Sequence, residues 1–211
     1  DFRDPVFNYG EDISTDFINM KREERVPGAF FQYTGEFLDQ RFIVMAGLRY
    51  DYHNIFGSIW TPRAHIMYKP DEFTSIKATF GRGLRTPNIL AENSYLLASA
   101  ANFYVNGELL GKNPALLDDL KMEDSWNFGA NVNRKFELFG RTLNINLDYY
   151  HTKFNDQVVV DNETAYNKVN FYNLDGKSYS NCYQVEVKYE LIPRLEATLA
   201  YRYNDVKTTI N

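Results

Sequence analysis

Three basic side chains on separate alternating stretches of the sequence have the chemistry to bind an anion. They are Arg49, Arg63 and Lys77, and each of them lies between two apolar residues. Because successive side chains of a β-strand point to opposite faces, neighbouring strands could align the three charges in one basic strip. An anionic ligand would suit such a strip, whereas solvated charges without a partner are the alternative that the sequence leaves open.

A second candidate site consists of three aromatic residues in a stretch that lacks strict alternation, residues 84–121. Tyr95, Phe103 and Tyr104 would offer stacking surface to sugars or to other ring-bearing ligands. Long loops on a rigid scaffold often carry ligand contacts, and the leucine and alanine content predicts a short helix over 88–101. In the alternative interpretation, these rings pack the loop onto its neighbours.

No pattern typical of catalysis or of metal binding accompanies these residues. The three histidines are scattered and have no carboxylate or cysteine companions at metal-ligand spacing. The one cysteine, Cys182, excludes an intramolecular disulfide and is typical of a small strand residue. Gly81 and Gly83 are not followed by the third glycine of a dinucleotide-binding motif. The sequence therefore predicts a protein that is not an enzyme and that uses no cofactor and no metal.

Composition and charge narrow the class of protein further. A net charge of -5 argues against a nucleic-acid partner, since phosphate binding requires a concentrated positive surface. The sequence combines 16 Tyr, 16 Phe and 2 Trp with 24% charged residues, which is typical of alternating strands. No apolar run reaches the roughly 20 residues of a membrane helix, but a membrane barrel strand needs only about 10 residues with every second one apolar.

Eight long alternating runs account for most of the chain and predict an all-β fold. They span about 28–37, 41–52, 60–69, 73–81, 125–136, 142–153, 166–190 and 194–204, the seventh being broken near 175–176. Short turns follow the first, third, fifth and seventh runs, while longer connections follow the others, and 154–165 is predicted to extend the flanking strands. This order predicts an antiparallel up-and-down meander with its short turns at one end.

The segment GRGLRTP at 81–87 is the predicted structural motif at which the chain leaves the sheet. Gly81 and Gly83 would relieve the backbone where a strand ends or bends, and Pro87 biases the residue before it away from helical angles. Arg85 belongs to the same motif. The predicted organisation is a single β-barrel segment, with 1–27 as an outer loop, 28–82 as the first four strands, 83–121 as a long outer loop and 122–206 as the last four strands.

Two different environments could cover the apolar face of these strands. In a soluble β-sandwich, such as an adhesion or carbohydrate-binding module, that face is a core, whereas in a membrane barrel it meets lipid. The alternating turn lengths, the aromatic residues near strand ends and the charges along the polar face favour part of a large transmembrane β-barrel. The sandwich is the alternative.

With these elements in place, the sequence resembles the TonB-dependent outer-membrane receptors, particularly those of the Bacteroides group. The similar motifs are AGLRYD at 46–51, TPR at 61–63, YKP at 68–70, FGRGLRTP at 80–87, DYY at 148–150 and YNL at 172–174. Each motif is short, but together they follow the order of the family along almost the whole chain.

The resemblance implies a middle segment of a 22-stranded plugged barrel in the bacterial outer membrane, with the plug domain outside this chain. It also implies active uptake of a scarce ligand, such as a ferric siderophore, cobalamin or a glycan, driven from the inner membrane. The implied partners are outer-membrane lipid, the protein's own plug domain, an inner-membrane energy-coupling protein and the small-molecule or glycan ligand. The basic strip would then bind either an anionic ligand or the plug.

Overall fold

A computed structural model of the protein describes residues 22–99, 101–164 and 167–209. Most of the predicted outer loop at 1–27 lies outside the described residues, and 22–27 form an irregular segment. No helix in the described ranges is long and apolar enough to cross a membrane. Strands make up most of the described chain.

Twelve strands are present in the described residues, and eight of them are long. The long strands are β1 Gly28–Phe37, β2 Phe42–His53, β3 Gly57–Tyr68, β4 Thr74–Arg85, β7 Glu123–Leu138, β8 Arg141–Asn155, β11 Ser178–Ile192 and β12 Leu195–Thr208. The short strands are β5 Asn102–Val105, β6 Glu108–Leu109, β9 Val158–Asp161 and β10 Lys168–Asn173. One α-helical turn, α1 Ile89–Glu92, and three 3₁₀ turns, Ser94–Ala98, Leu110–Lys112 and Pro114–Asp118, lie between β4 and β7.

The eight long strands form one antiparallel sheet in the order β1-β2-β3-β4-β7-β8-β11-β12. Each long strand therefore pairs with the long strands before and after it along the chain, which confirms the predicted up-and-down meander. Short turns join β1 to β2, β3 to β4, β7 to β8 and β11 to β12 at one end of the sheet. The opposite end carries the connection from β2 to β3 and two long loops, from β4 to β7 and from β8 to β11.

The register of this sheet separates polar from apolar side chains. One row of directly paired residues is polar and consists of Lys77, Asn131, Asp148 and Gln184. The adjacent row, on the other face, is apolar and consists of Ile76, Val132, Leu147 and Val185. These four apolar side chains are 38% to 44% exposed, so no described part of the chain covers them as the core of a sandwich would. Because soluble monomers rarely expose extended apolar surface, the β-sandwich alternative is not favoured.

The two long loops contain a second sheet that the sequence did not predict. Its strand order is β6-β5-β10-β9, and β5 from the first loop pairs in parallel with β10 from the second. The prediction that 154–165 extends the flanking strands is therefore wrong for β9, which pairs with β10 instead. The predicted run 166–190 divides in the same way, since β10 and β11 belong to different sheets.

The glycines of the GRGLRTP motif lie inside a strand rather than at its end. β4 continues through Gly81 and Gly83 to Arg85, and both glycines pair with residues of β7. The prediction that the sheet ends at these glycines is wrong, and the first four strands extend to position 85 instead of 82. The chain leaves the sheet just before Pro87, whose missing N–H cannot continue the ladder.

Another glycine, Gly129, is required because its surroundings are crowded. A Cβ atom there would contact the hydroxyl of Thr79 and lie 2.8 Å from the ring of Tyr150, whereas at Gly81 the nearest atom would be 3.8 Å away. We expect Gly129→Ala to destabilise the sheet by about 1–3 kcal/mol. Gly81→Ala should be neutral or stabilising, because alanine is favoured over glycine within a strand by about 0.5–1 kcal/mol.

The temperature at which the folded, fast-migrating form disappears on unboiled gels measures the effect of both substitutions. A lower temperature for Gly129→Ala alone is the expected result. An equal fall in this temperature for Gly129→Ala and Gly81→Ala would contradict the conclusion that Gly129 is required because its surroundings are crowded.

Candidate functional site

The two long loops fold together into one unit, here called the outer subdomain, which comprises residues 86–122 and 156–177. Its centre is a cluster of buried apolar side chains drawn from both loops. They are Ile89, Leu96, Val105, Leu110, Leu116, Leu120, Val169 and Phe171. Val105, Leu110 and Phe171 are fully buried. The outer subdomain therefore has its own hydrophobic core and is not a set of independent loops.

Backbone and asparagine hydrogen bonds join the two loops at several levels. The backbone N–H of Asn106 donates to the carbonyl of Phe171 at 2.9 Å, and the N–H of Gly107 donates to the side-chain oxygen of Asn170 at 3.0 Å. At the base of the subdomain, the Asn173 amide accepts from the N–H of Lys121 at 2.8 Å and donates to its carbonyl at 3.2 Å. These hydrogen bonds therefore join the two loops into one unit.

Arg85 and a capped helical turn connect the outer subdomain to the sheet. The guanidinium of Arg85 forms ion pairs with Glu92 of α1, at 3.2 Å, and with Glu123 at the start of β7. Asn88 caps α1 by accepting from the backbone N–H of Ala91. The predicted helix over 88–101 is shorter in the structure, because the side chain of Asn93 donates to the carbonyl of Ile89 and a 3₁₀ turn follows.

The three predicted aromatic residues occupy different environments in the outer subdomain. Tyr95 is 67% exposed, whereas Phe103 is half-buried with its ring stacked 6.2 Å from that of Phe171. The ring of Tyr104 lies 4.3 Å from the ammonium group of Lys168, a cation–π contact between the two loops. Phe103 thus packs the loop, while Tyr95 and the Tyr104–Lys168 pair present ring and charge at the surface.

The three predicted basic residues lie on the polar face of the sheet, but they do not form one continuous strip. Arg49 pairs with Thr61, two positions from Arg63 on the same face of β3, so these two arginines are diagonal neighbours. Lys77 pairs with Met67, four residues farther along β3, or about 13 Å away. Arg49 is also engaged, since its Nε lies 2.7 Å from the Asp51 carboxylate.

Lys77 instead lines a concavity of 460 Å³ on the polar face. Hydrogen bonds link the amides and the carboxylate there: Asn131 donates to Asn146 at 2.8 Å and to Asp148 at 2.7 Å, and Asn146 donates to Asp148 at 2.6 Å. Sequence reasoning did not single out this network, although asparagines at alternate positions of β7 and β8 were the available signal. Among the described residues, no group of three or more His, Cys, Asp or Glu side chains is arranged to hold a metal ion.

Arg22 joins the irregular segment before β1 to the outer subdomain. Its Nη1 donates to the carbonyl of Pro87 at 3.0 Å, and its Nε lies 3.6 Å from Asp118. The neighbouring His53 at the end of β2 is buried, and its Nε2 lies 3.7 Å from the carboxylate of Glu24. Arg22 therefore connects the segment before β1 to the outer subdomain, and Glu24 connects the same segment to the end of β2.

Asp161 closes the turn that follows β9. Its carboxylate accepts from the Thr164 hydroxyl at 2.6 Å and from the backbone N–H groups of Glu163 and Thr164 at 3.1 and 3.0 Å. These bonds hold the pKa of Asp161 below its ordinary value, and the Thr164 hydroxyl contributes most. The turn is therefore fully bonded at neutral pH and loses this contribution as the pH falls through the lowered pKa.

The whole chain, residues 1–211, matches the family model of the TonB dependent receptor-like β-barrel. The chain belongs to this family. Members of the family are transport receptors rather than enzymes, and the segment is part of a bacterial outer-membrane barrel.

Individual TonB-dependent receptors are similar over part of their length. The probable TonB-dependent siderophore receptor PirA of Acinetobacter baumannii is 25% identical over 157 residues, which cover 72% of this chain and 19% of that protein. The siderophore receptor PirA from Pseudomonas aeruginosa has a similar structure, with a TM-score of 0.63 at 19% identity, over 87% of this chain and 35% of that one. The FrpB iron transporter from Neisseria meningitidis gives a TM-score of 0.62 at 16% identity, over 87% and 26%.

The two structural likenesses show the fold, and the chain spans between 19% and 35% of the length of these three proteins. They come from Acinetobacter, Pseudomonas and Neisseria, so membership of a Bacteroides-type group stays a prediction.

Membership of this family orients the sheet in the membrane. Outer-membrane barrels have short periplasmic turns and long extracellular loops, so the outer subdomain faces the outside and the polar face lines the lumen. A row of tyrosines on the apolar face, Tyr149, Tyr183 and Tyr203, has ring centroids 4.9 and 6.3 Å apart. Aromatic girdles mark the membrane interfaces of such barrels, so this row indicates the outer interface of the TonB-dependent receptor segment.

Proposed function

We propose that the complete receptor containing this segment takes up a ferric siderophore or a chemically similar scarce nutrient, driven by an energy-coupling protein of the inner membrane. The observation that carries the proposal is the outer subdomain, a surface with its own core at the outer end of a TonB-dependent receptor barrel. Two of the similar proteins are named as siderophore receptors and the third as an iron transporter. Cobalamin and glycans remain the other ligand classes that the family resemblance implies.

Tyr95 and the Tyr104–Lys168 pair are the proposed first contacts of the ligand. Many ferric siderophores are anionic and carry aromatic rings, and the same subdomain offers an exposed ring at Tyr95 and a cation–π pair at Tyr104 and Lys168, which complement both properties. Phe103 supports this surface from inside, because its ring is stacked on the buried Phe171.

Arg49, Arg63 and Lys77 are proposed to act later, on the lumen side of the barrel. Arg49 and Arg63 are close enough to meet one anionic group of the ligand or of the plug domain, whereas Lys77 belongs to the separate concavity around Asp148. Lipid around the barrel, the receptor's own plug domain and the energy-coupling protein are the proposed partners.

Growth on ferric siderophore as the sole iron source tests the function. A strain that lacks this receptor should fail to grow on the matching siderophore, and the complete receptor should restore growth only when the energy-coupling protein is active. Tyr95→Ala and Tyr104→Ala should each weaken binding about fivefold, since an aromatic contact contributes about 1 kcal/mol. Restored growth without energy coupling, or growth on every iron source without the receptor, would contradict the proposal.

A further inference from the structure

A row of alternating cationic and aromatic residues crosses the lipid-facing side of the sheet near its outer end. Its five members are directly paired on successive strands, β4, β7, β8, β11 and β12. They are Arg82, Trp126, Lys153, Tyr179 and Lys207. Because their separation along the sequence is large, the pattern exists only in the register of the folded sheet.

The height of this row places it in the headgroup layer of the outer leaflet. Lys153 lies on the same face of β8 as Tyr149 and four residues nearer the outer end, or about 13 Å along the strand. With a strand tilt of about 40°, this distance is roughly 10 Å along the membrane normal. Tyr149 belongs to the tyrosine row at the interface, so Lys153 lies above the hydrocarbon and at the level of polar headgroups.

The three cations of the row differ in their ion-pair and hydrogen-bond partners. Arg82 is held by Asp124, with Nε and Nη2 at 2.9 and 3.1 Å from the carboxylate oxygens, and it lies over the ring of Trp126. Lys153 is exposed and forms no ion pair within the described ranges of the chain. Lys207 is also exposed, and it is the direct register partner of Tyr179 on β11. Two lysines on either side of one tyrosine are therefore available to a ligand in the membrane.

We propose that Lys153, Tyr179 and Lys207 bind the phosphorylated headgroup of an outer-leaflet glycolipid. The two lysines are on strands that flank β11, about 10 Å apart at their Cα atoms, so that both ammonium groups can reach a phosphate placed over Tyr179. Lysine ammonium groups are strong phosphate ligands, and the tyrosine ring provides an amphipathic surface at the same depth. The site depends on the outer-membrane placement of the segment and not on the ligand proposed above.

Lipid retention by the complete receptor tests this site. The receptor is reconstituted in nanodiscs of phosphatidylethanolamine with bisphosphorylated lipid A, released in mild detergent, and weighed by native mass spectrometry. We expect the parent protein to retain phosphorylated lipid A. Lys153→Gln/Lys207→Gln should retain it about 25-fold more weakly, because each lysine near an anionic headgroup contributes about 1 kcal/mol, or roughly fivefold. Dephosphorylated lipid A should bind neither protein.

Matched variants distinguish an effect of the two lysine charges from a general effect on folding. Lys135→Gln/Lys188→Gln removes two lysines of the lumen face and should retain lipid A like the parent, and Lys153→Arg/Lys207→Arg should also retain it because the charges remain. The fast-migrating band on unboiled gels reports that each variant is folded. The proposal is overturned if Lys153→Gln/Lys207→Gln retains as much phosphorylated lipid A as the parent, or if dephosphorylated lipid A is retained equally. Such results would assign the two lysines to bulk solvent or to a neighbouring protein.

Discussion

Replacing Phe171 with alanine should unfold the outer subdomain and leave the eight-stranded sheet intact. Phe171 is fully buried, belongs to the core that both loops share, and stacks on Phe103. A Phe→Ala substitution in a core costs about 3–5 kcal/mol. A core of this size provides stability of the same order, because small cores rarely contribute more than about 3–5 kcal/mol.

Hydrogen exchange and limited proteolysis of the complete receptor measure this effect. Both loop segments, 86–122 and 156–177, should lose protection together in Phe171→Ala, while strands β7 and β8 retain it. The control is Phe139→Ala, because Phe139 is 90% exposed in the turn between β7 and β8. Loss of protection in only one loop would show that the two loops are independent, and the outer subdomain would not be one unit.

Removing the charge of Asp124 should produce the second large effect, at the outer rim of the sheet. Asp124 is buried, accepts two hydrogen bonds from Arg82 of β4 and accepts a third from Asn155 of β8 at 3.4 Å. Asp124→Asn leaves the guanidinium without its counter-charge. Breaking a buried pair costs about 3–5 kcal/mol, and the partial exposure of Arg82 reduces the expected destabilisation to about 2 kcal/mol.

The matched control for Asp124 is an ion pair on the lumen face. Glu186→Gln breaks the pair with Lys188, whose charged atoms are 3.4 Å apart and partly exposed, and should cost at most about 1 kcal/mol. The temperature at which the fast-migrating form is lost compares the two variants. If Glu186→Gln lowers this temperature as much as Asp124→Asn, the rim pair has no special role in joining β4, β7 and β8.

The long strands could be predicted from the sequence because a period of two is a local property. The alternation from Leu143 to Tyr149, for example, shows which side chains of β8 share the apolar face without knowledge of any partner strand. The second sheet could not be predicted in this way. Its strands have two to six residues, and the pairing of Phe103 with Val169 joins two loops that are distant along the chain.

Contacts within the candidate site depend on register, which the sequence leaves open. The alternation correctly placed Arg49, Arg63 and Lys77 on one face, but the pairing of Lys77 with Met67 separates it from the two arginines. For the same reason, the row that contains Lys153 and Tyr179 could not be predicted from the sequence, because its members are adjacent only after the strands are aligned. The Gly81 and Gly83 prediction failed because a glycine within a strand and a glycine at its end have the same sequence signal.

Equilibrium binding of a ferric siderophore to the purified complete receptor tests most directly whether the outer subdomain recognises the ligand. The parent and the control Phe139→Ala should bind the siderophore equally. Phe171→Ala should lose binding while its barrel still migrates as the folded form. Undiminished siderophore binding by a folded Phe171→Ala receptor whose two loops have lost protection would contradict the account.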